Sequence, residues 1–340
     1  MGVSVIGTSS GADDDDTGSD YGKGEPSERF QRRNLMARFT LRQLEYFVAV
    51  ADHTTITAAA RHCGASPAGL SEAISNLERC LGVDLLIRHR ARGVALTPAG
   101  VRFAAGARPL LAEADDLEAV TRADGAVVAG RLAMACYTSL VPFLLPALLD
   151  EFALRHPKLQ VDLVEGSHDE LRPLLVGGAC EIGLLYENGI GADLEYTVVQ
   201  ACRPYVILPA DHRLASRNEV ALADLVAEPL ITFEVPPSAD CARQIVADTG
   251  LEHVPGHRTT NIEMVRCLVA RGLGWAIMVQ RWPSAISYEG RPLVSRPIAD
   301  PVDEFRVAVA WPVGTRQRRR ATAVADFCRE TFGVVGSTYS

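Results

Sequence analysis

The sequence contains no cysteine pair with the C-x-x-C spacing, although it has eight cysteines. This absence argues against short-spaced zinc sites and thioredoxin-type redox sites. No apolar run is long enough to cross a bilayer, and the first residues lack the charged and then apolar order of a signal peptide. The sequence therefore predicts a cytoplasmic protein without membrane contact.

The short motifs of common enzyme classes are also missing. The chain has no Gly-x-Ser-x-Gly elbow, no phosphate-binding Walker loop, no dinucleotide glycine pattern and no His-Glu-x-x-His helix. Its histidines, such as His62, His168 and His257, lack the spacing of metal ligands. We therefore expect neither an enzyme nor a resident metal or cofactor.

Charge is unevenly distributed along the chain. The formal net charge is −8, which by itself argues against a nucleic-acid partner. Residues 36–97, however, hold seven arginines and five acidic residues, a local net charge of +2. A mildly basic segment joined to an acidic body is typical of a DNA-binding sensor and not of a non-specific coat protein.

The two ends of the chain differ in composition from the rest. Residues 1–35 are rich in Gly, Ser and Asp, including the run Asp13–Asp16, and we expect them to form a disordered tail. Met36 begins the first segment whose residues follow the pattern of a folded domain. Translation could therefore start at Met1 or at Met36. Residues 334–340 are predicted to be a second, short tail.

Three helices are predicted between residues 40 and 81. The first carries apolar residues at spacings of three and four, which indicates one buried face. They are Leu41, Leu44, Phe47, Val48 and Ala51. Thr55 can cap the second helix, and Gly64 lies where that helix must end. Ser66 can cap the third helix, with Pro67 at the first position, which needs no amide donor.

The third helix is the candidate reading helix of a winged helix-turn-helix over residues 36–97. Its predicted buried face consists of Leu70, Ile74, Leu77 and Leu81. The opposite face would enter the DNA major groove, and an Arg-rich hairpin would lie along the phosphates. The candidate DNA contacts are Arg42, Thr55, Ser66, Pro67, Ala68, Ser71, Glu72, Ser75, Asn76, Arg88, Arg90 and Arg92. The alternative is a plain helical bundle, but the hairpin and the long helix after it favour DNA binding.

A long helix is predicted over residues 98–124. Thr97 and Pro98 form the cap-then-proline start of a helix, and apolar residues continue along one face. These are Phe103, Ala107, Leu110, Leu111, Ala114, Leu117 and Val120. The helix could connect two domains, or it could pack on its own domain. The small residues of 123–130 are typical of a hinge.

Strands and helices alternate from Arg131 onward. The predicted strands are 132–136, 160–164, 181–186, 205–208, 230–233, 274–279 and 305–311, and the predicted helices are 139–155, 169–176, 238–249, 261–270 and 316–332. The first five elements form a βαβαβ unit, which predicts a parallel sheet with helices on both faces. Two α/β lobes explain the order, lobe I at about 130–201 and 302–333 and lobe II at about 202–301.

A ligand site is expected where the strands of the two lobes end. Ligands of open α/β sheets bind beyond the carboxyl ends of strands, where helix N-termini attract anions. The candidates are Tyr137, Thr138, Ser139, Ser167, Tyr186, Arg203, Phe233 and Asn261. A ring with a carboxylate fits this set, although Glu187 would repel it unless Arg203 offsets the charge. Thr138 and Ser139 could instead only cap the helix.

The helix-turn-helix resembles that of LysR-type transcriptional regulators. The similarity lies in Ala58-Ala-Ala, in Ser66-Pro-Ala-Gly-Leu-Ser, in Leu77-Glu-x-x-Leu-Gly-Val and in Leu96-Thr-Pro-Ala-Gly. It is close over about sixty residues and looser over the rest. Pro67 stands where the family usually has Gln, and Glu72 where it often has a basic residue. Gly69 within the helix should cost about 1 kcal/mol relative to Ala.

The resemblance implies a fold and a set of partners. It implies an N-terminal α-helical winged helix-turn-helix, a linker helix that pairs with its twin, and a two-lobed α/β effector domain over residues 125–333, like that of periplasmic binding proteins. The expected partners are a double-stranded DNA operator, an aromatic or carboxylate metabolite as effector, and further copies in a homodimer or homotetramer.

Two alternatives remain beside this interpretation. One is a thiol-based redox regulator with the same fold, in which Cys241 would be a thiolate stabilised at a helix start. Redox sensors of the family use paired cysteines close together, and neither Cys202 nor Cys267 has such a spacing to Cys241. The other alternative is a two-lobed solute-binding protein, which would need an export signal.

Overall fold

The computed structural model describes residues 39–89, 93–122, 128, 130–315 and 317–333. Several sequence predictions therefore fall outside the described residues: the tails at 1–35 and 334–340, the start at Met36, the wing arginines Arg90 and Arg92, and most of the predicted hinge at 123–130.

The described residues form nine helices and twelve strands. The N-terminal elements are α1 (Leu41–His53), α2 (Ile56–His62), α3 (Pro67–Leu81), β1 (Leu86–His89), β2 (Gly93–Leu96) and α4 (Pro98–Arg122). The next are β3 (Gly130–Tyr137), α5 (Val141–Arg155), β4 (Leu159–Gly166), α6 (His168–Val176), β5 (Ile182–Tyr186) and β6 (Leu194–Cys202). Then follow β7 (Tyr205–Pro209), β8 (Leu230–Phe233), α7 (Ser238–Asp248), β9 (Pro255–Thr259), α8 (Ile262–Ala270), β10 (Ala276–Met278), β11 (Leu293–Pro297), β12 (Phe305–Pro312) and α9 (Arg319–Phe332).

The DNA-binding module comprises α1 to β2, with β1 and β2 as an antiparallel wing. Its core is closed by the start of α4, where Phe103 packs edge-on against Phe47 with ring centroids 5.3 Å apart. The start of α3 is confirmed, because the Ser66 hydroxyl accepts a hydrogen bond from the Gly69 amide at 3.1 Å. The module therefore has its own apolar core, separate from that of the rest of the chain.

The buried face of α1 differs from the prediction. Leu44 and Phe47 are fully buried as expected, but Leu41 is half exposed and Val50 is buried in its place. Leu41 is the first residue of the helix, where no preceding turn covers it. Position, in addition to periodicity, therefore decides which apolar side chains enter this core.

Two groups of elements make up the C-terminal part, and we call them lobe I and lobe II. Lobe I is a five-stranded sheet of order β4-β3-β5-β12-β6 with α5, α6 and α9. Lobe II is a three-stranded sheet of order β10-β7-β11, the parallel pair β8 and β9, and helices α7 and α8. The chain leaves the five-stranded sheet after Cys202 and returns to it at Phe305.

The parallel sheet predicted for the βαβαβ unit is confirmed, and a strand from later in the chain joins it in the opposite direction. β3 is parallel to β4 and β5, whereas β12 is antiparallel to both β5 and β6. Strands β6, β9 and β11 were not predicted. The buried residues of β6 are Leu194, Val199 and Cys202, which follow no period of two. Its eight-residue register with β12 is set by a partner that lies more than 100 residues away in the chain. Such pairing is non-local and leaves little trace in a short window.

None of the described helices is long and apolar enough to cross a membrane. Within the same described ranges, no three His, Cys, Asp or Glu side chains stand close enough to hold a metal ion.

Candidate DNA interface and effector cleft

The outer face of α3 presents short side chains. Leu70, Ile74 and Leu77 are fully buried against the module core. The opposite side exposes Pro67, Ala68 and Glu72 and half-exposes Ser71, Ser75 and Asn76. Asn76 accepts a hydrogen bond from Arg79 at 2.8 Å. This face therefore carries short and mostly uncharged side chains, and Arg79 lies near its C-terminal end, bonded to Asn76.

Glu78 is the functional residue of α3 that the sequence analysis missed. Its carboxylate is 8% exposed and accepts hydrogen bonds from the amides of Leu85 and Leu86, at 2.9 and 3.0 Å. It thereby holds the start of the wing strand β1 against α3. The signal for it was present, because Glu78 lies four residues after Ile74 and so extends the predicted buried face.

Arg88 on the wing is bound within the module. Its guanidinium donates to the Glu78 carboxylate at 3.0 Å and to the Ser75 hydroxyl at 3.2 Å. The side chain is still 48% exposed, so a phosphate oxygen could share it. Arg88 and Ser75 were both predicted to contact DNA, and in the structure they are hydrogen-bonded to each other.

Two further candidates lie outside the third helix. Arg42 is exposed on α1, where its Nε donates to the Tyr46 hydroxyl at 2.7 Å, and this hydrogen bond raises the pKa of Arg42. Thr55 caps α2, since its hydroxyl accepts from the Ala58 amide at 3.2 Å. Arg42 therefore remains a cation, and the hydroxyl of Thr55 already has one partner.

Arg108 on α4 connects the DNA-binding module with lobe I. Its guanidinium pairs with Asp52 at the end of α1 and donates to the carbonyl of Gly177, directly after α6, at 2.9 Å. Arg318 of lobe I in turn donates to the carbonyl of Pro109 at 2.6 Å. A space of about 420 Å³ separates the other parts of these surfaces. Within the described residues, Arg108 and Arg318 therefore each contribute a direct bond to the connection between the sensor and the DNA-binding module.

A cleft lies between the two lobes. Of the predicted ligand-contacting residues, Ser139, Tyr186 and Phe233 line it, together with Phe143, Gln280 and Trp282, which the sequence analysis missed. The open space inside is about 40 Å³, which is room for about two or three water molecules. The cleft in this state is therefore nearly closed by the protein's own side chains.

Tyr137 holds the two lobes together. It is fully buried, and its hydroxyl donates to the carbonyl of Val235 at 2.8 Å and lies 3.0 Å from the hydroxyl of Ser238, both in lobe II. Burial raises the pKa of Tyr137 to about 12. The residue was predicted to contact a ligand, but its hydroxyl is engaged by the opposite lobe.

Tyr186 makes a second connection between the lobes. Its buried hydroxyl bonds to the side chains of Ser139 and of Gln280, the latter at 3.4 Å, and burial raises the pKa of Tyr186. Gln280 also donates to the Cys202 thiol and accepts from Tyr205 through its own carbonyl at 2.7 Å. Gln280 is thus the centre of a buried polar group at the base of the cleft.

The other predicted polar residues serve as caps. Ser167 caps α6 and Asn261 caps α8, in each case by accepting from backbone amides of the first turn. The predicted helix start at Ser139 was wrong, because Tyr137–Leu140 forms a turn and α5 begins at Val141 without a side-chain cap. Thr138 donates its amide to the carbonyl of Gly166 at 3.0 Å, so neither Thr138 nor Ser139 caps α5.

Arg203 does not offset Glu187. Arg203 pairs with Glu304 at 3.1 Å on the exposed surface. Glu187 instead accepts from the Tyr196 hydroxyl at 3.0 Å and lies 3.4 Å from Arg306. Neither Glu187 nor Arg203 lines the cleft. Glu187 therefore does not stand in the cleft wall, where it would repel a carboxylate ligand.

His168 lies behind Tyr137, with the two rings packed edge to face at 5.3 Å. Burial lowers its pKa to about 4, so the ring is neutral at neutral pH. Its Nε2 is buried and has no hydrogen-bond partner among the described residues. A protonated ring would be poorly accommodated here because the effect of burial is larger than the opposing effects of the hydrogen bond with the Gly189 backbone and of nearby Asp169.

The cysteines give no support to a thiolate switch. None of the eight, all of which lie in the described residues, forms a disulfide bond. Burial raises the pKa of Cys241 and of Cys202 to about 11 each, so the predicted stabilisation of a Cys241 thiolate was wrong. Asp240 beside Cys241 raises the pKa further. The start of α7 therefore does not offset desolvation and the neighbouring carboxylate.

Comparison with known proteins agrees with this arrangement. Residues 41–101 match the bacterial regulatory helix-turn-helix protein, lysR family, and residues 125–333 match the LysR substrate binding domain. The Hca operon transcriptional activator HcaR of Escherichia coli is 32% identical over 279 residues, which cover 81% of this chain and 92% of HcaR.

Two further relatives are similar over most of the chain. The hydrogen peroxide-inducible genes activator of Pectobacterium carotovorum subsp. carotovorum is 29% identical over 85% of this chain and 96% of its own length. The crystal structure of HinK, a LysR family transcriptional regulator from Pseudomonas aeruginosa, is 31% identical over 86% of this chain and 99% of HinK, with a TM-score of 0.58.

Proposed function

The chain belongs to the LysR family of transcriptional regulators, and from this premise we propose how its parts divide the work of an effector-controlled switch. It is a DNA-binding transcriptional regulator with an effector-binding domain. In our proposal, residues 36–97 bind a double-stranded operator in the cytoplasm, residues 98–124 pair with a second copy, and residues 125–333 bind a small molecule. The relatives are regulators, and we propose that this chain likewise catalyses no reaction.

The proposed operator contacts are the exposed face of α3 and the wing. Ala68, Ser71 and Glu72 would face the bases, and Arg88 would contact a phosphate while it remains bound to Glu78. Short side chains give few strong base contacts, because the bidentate pairs that discriminate bases best need Arg, Asn or Gln. Tight binding therefore requires two or more modules on one operator.

The dimer is proposed to form along α4. Val101, Leu110 and Leu117 of this helix are half exposed or more, whereas Ala104 and Ala107 are buried against the chain's own module. Leu110 and Leu117 are seven residues apart and so share one side of the helix, where exposed apolar side chains suit a second copy of the same helix. We expect a homodimer or a homotetramer, and the mass of the protein in solution tests this.

The main support for the proposed switch is that Arg108 bonds to both the DNA-binding module and lobe I. α6 begins at His168 beside the lobe-spanning Tyr137, and it ends where the Gly177 carbonyl accepts from Arg108, which also pairs with Asp52 of α1. Movement of one lobe against the other would shift α6 and hence the module. A ligand shifts such an equilibrium only through its different affinities for the two states.

The experiment compares Arg108→Ala with Arg102→Ala, an exposed arginine of the same helix. An operator is first selected from random double-stranded DNA, and its binding is followed by fluorescence anisotropy and footprinting. We expect Arg108→Ala to change the footprint of the unliganded protein, while Arg102→Ala does not. Identical footprints for wild type and Arg108→Ala would place the coupling elsewhere, and absence of any selected operator would overturn the function.

A further inference from the structure

The cleft between the lobes is lined by uncharged side chains alone, as far as the structure describes its wall. Its polar groups are Ser139, Tyr186, Thr232, Ser238, Gln280 and Trp282. We propose that the effector is a small, uncharged and mainly apolar molecule with a carbonyl, ether or hydroxyl oxygen, and not a carboxylate, phosphate or ammonium compound. This inference rests on the proposed function, since it assumes that the cleft is the effector site.

Burial of a charge in such a wall would be costly. An ion that leaves water needs an opposite charge or several strong hydrogen bonds to compensate for lost solvation. The cleft offers hydroxyl, amide and indole groups, and several of them are already bonded to each other or to the backbone. A neutral molecule with one or two polar atoms matches this wall better.

The cations around the cleft are engaged elsewhere. Arg266 is buried under the ring of Trp282, with its guanidinium 4.2 Å from the ring centroid, and it bonds to Glu263 at 2.8 Å and to two backbone carbonyls. Arg281 lies over the ring of Tyr205 and is not part of the cleft wall. No arginine described near the cleft therefore points a charge into it.

The helix starts near the cleft are equally unsuited to an anion. At α8, the side-chain oxygen of Asn261 already accepts from the amides of Glu263 and Met264, and Glu263 adds a negative charge in the first turn. At α7, Asp240 occupies the first turn. At α5, Pro142 has no amide hydrogen. A helix N-terminus attracts anions only where its amides are available and acids are distant.

Trp282 indicates what polar atom the ligand carries. Its ring lines the cleft, and its indole nitrogen is buried without a hydrogen-bond partner in the part of the chain that the structure describes. The indole N–H can only donate. A buried donor without an acceptor is destabilising, so an oxygen supplied by a ligand would gain a hydrogen bond there.

The test uses three probes of similar size that differ in charge: benzyl alcohol, benzoate and benzylammonium. Each is titrated into the full-length protein by calorimetry, with thermal unfolding as a second measurement. We expect benzyl alcohol to bind at least tenfold more tightly than either ion. Equal or tighter binding of benzoate or benzylammonium would overturn the proposal. Failure of benzyl alcohol to bind up to its solubility would do the same, because a cleft for apolar molecules should open for it.

Variants place the bound probe in the cleft. Ala242→Leu narrows the wall and should abolish benzyl alcohol binding, whereas the exposed Tyr288→Phe should leave it unchanged. Trp282→Phe keeps an aromatic ring and removes the donor. This substitution should weaken the binding of benzyl alcohol by roughly threefold to tenfold and leave the binding of toluene unchanged. Equal effects on alcohol and toluene would contradict the role of the indole N–H, and undiminished binding in Ala242→Leu would place the probe outside the cleft.

Operator binding of the same preparation separates this proposal from the proposed function. If the protein binds its selected operator but prefers benzoate, only the charge selectivity is wrong. If benzyl alcohol binds in the cleft but no operator is found, the ligand class stands and the regulatory function fails.

Discussion

Charge is used differently at the two surfaces that face a partner. On the DNA-binding module, Glu78 and Arg88 form an ion pair beside the exposed face of α3, and Arg42 and Arg79 stand in solvent. In the cleft of the effector domain, the described wall carries no charge, and the hydroxyl groups of Tyr137 and Tyr186 bond across the lobes. The first surface suits a polyanion and the second a neutral molecule.

The difference follows from solvent. An exposed arginine keeps its hydration and attracts phosphates at long range, so charge is useful on an open surface. In a space of about 40 Å³ there is little water to solvate an ion, so polar groups must bond to each other. Each of the two surfaces is held in shape by buried polar groups. These are Glu78 in the DNA-binding module and Tyr137 and Tyr186 in the effector domain.

Removal of the Glu78 anchor should have the largest effect. Glu78→Ala leaves the amides of Leu85 and Leu86 buried without acceptors, so we expect a loss of about 3–5 kcal/mol in the free energy of unfolding and loss of operator binding. Urea unfolding followed by circular dichroism measures it. Glu72→Ala, at an exposed position on the same helix, should change stability by less than about 0.5 kcal/mol. Similar values for both variants would mean that the wing does not depend on Glu78.

Acid should weaken the effector domain through His168. Its pKa of about 4 lies below the ordinary value of 6.5, so the unfolded chain binds a proton between these pH values that the folded chain does not. This group's contribution is complete above pH 6.5 and falls by at most about 1.4 kcal/mol per pH unit toward pH 4. His168→Gln should lose less stability than wild type over this window, whereas exposed His257→Gln should follow wild type. Parallel curves for all three proteins would show that His168 is not buried as a neutral ring.

Removal of one hydroxyl from the lobe connection should have a smaller effect. Tyr137→Phe removes one of two donors to the Val235 carbonyl, which still accepts from the Ala239 amide, and we expect a loss of about 1 kcal/mol together with a more open effector domain in small-angle scattering. Operator affinity of the unliganded protein should change less than stability does. Tyr288→Phe is the matched control, because Tyr288 is 86% exposed. An unchanged scattering profile for Tyr137→Phe would mean that other contacts hold the lobes together.

The smallest effect is expected at Arg88. A free arginine on a phosphate contributes a slope of about −0.9 to log affinity against log salt. Arg88 is shared with Glu78, so Arg88→Gln should reduce the slope by clearly less than this. Anisotropy titrations between about 50 and 200 mM salt measure it, with exposed Arg217→Gln of lobe II as the control that should have no effect. A full unit of slope lost with Arg88 would show that DNA displaces Glu78.

The sequence by itself determined the elements of the DNA-binding module and most elements of the lobes. Caps such as Ser66, the proline at position 67 and the period of apolar residues are local signals, and local signals suffice where a helix is defined by neighbours three and four residues away. The family resemblance rested on the same residues. The βαβαβ order also followed from local pattern, but the direction of β12 did not.

Only the tertiary structure decided which polar side chains are available to a partner. Tyr137 had the position of a ligand contact, yet its hydroxyl bonds to a residue 98 positions later in the chain. Arg88 meets Glu78 across the turn into the wing, and Arg108 meets Gly177 from another domain. These partners depend on how distant segments pack, and no periodicity or cap encodes them. The absence of charge in the cleft arises in the same way, because charged residues near it in the sequence are turned toward partners outside its wall.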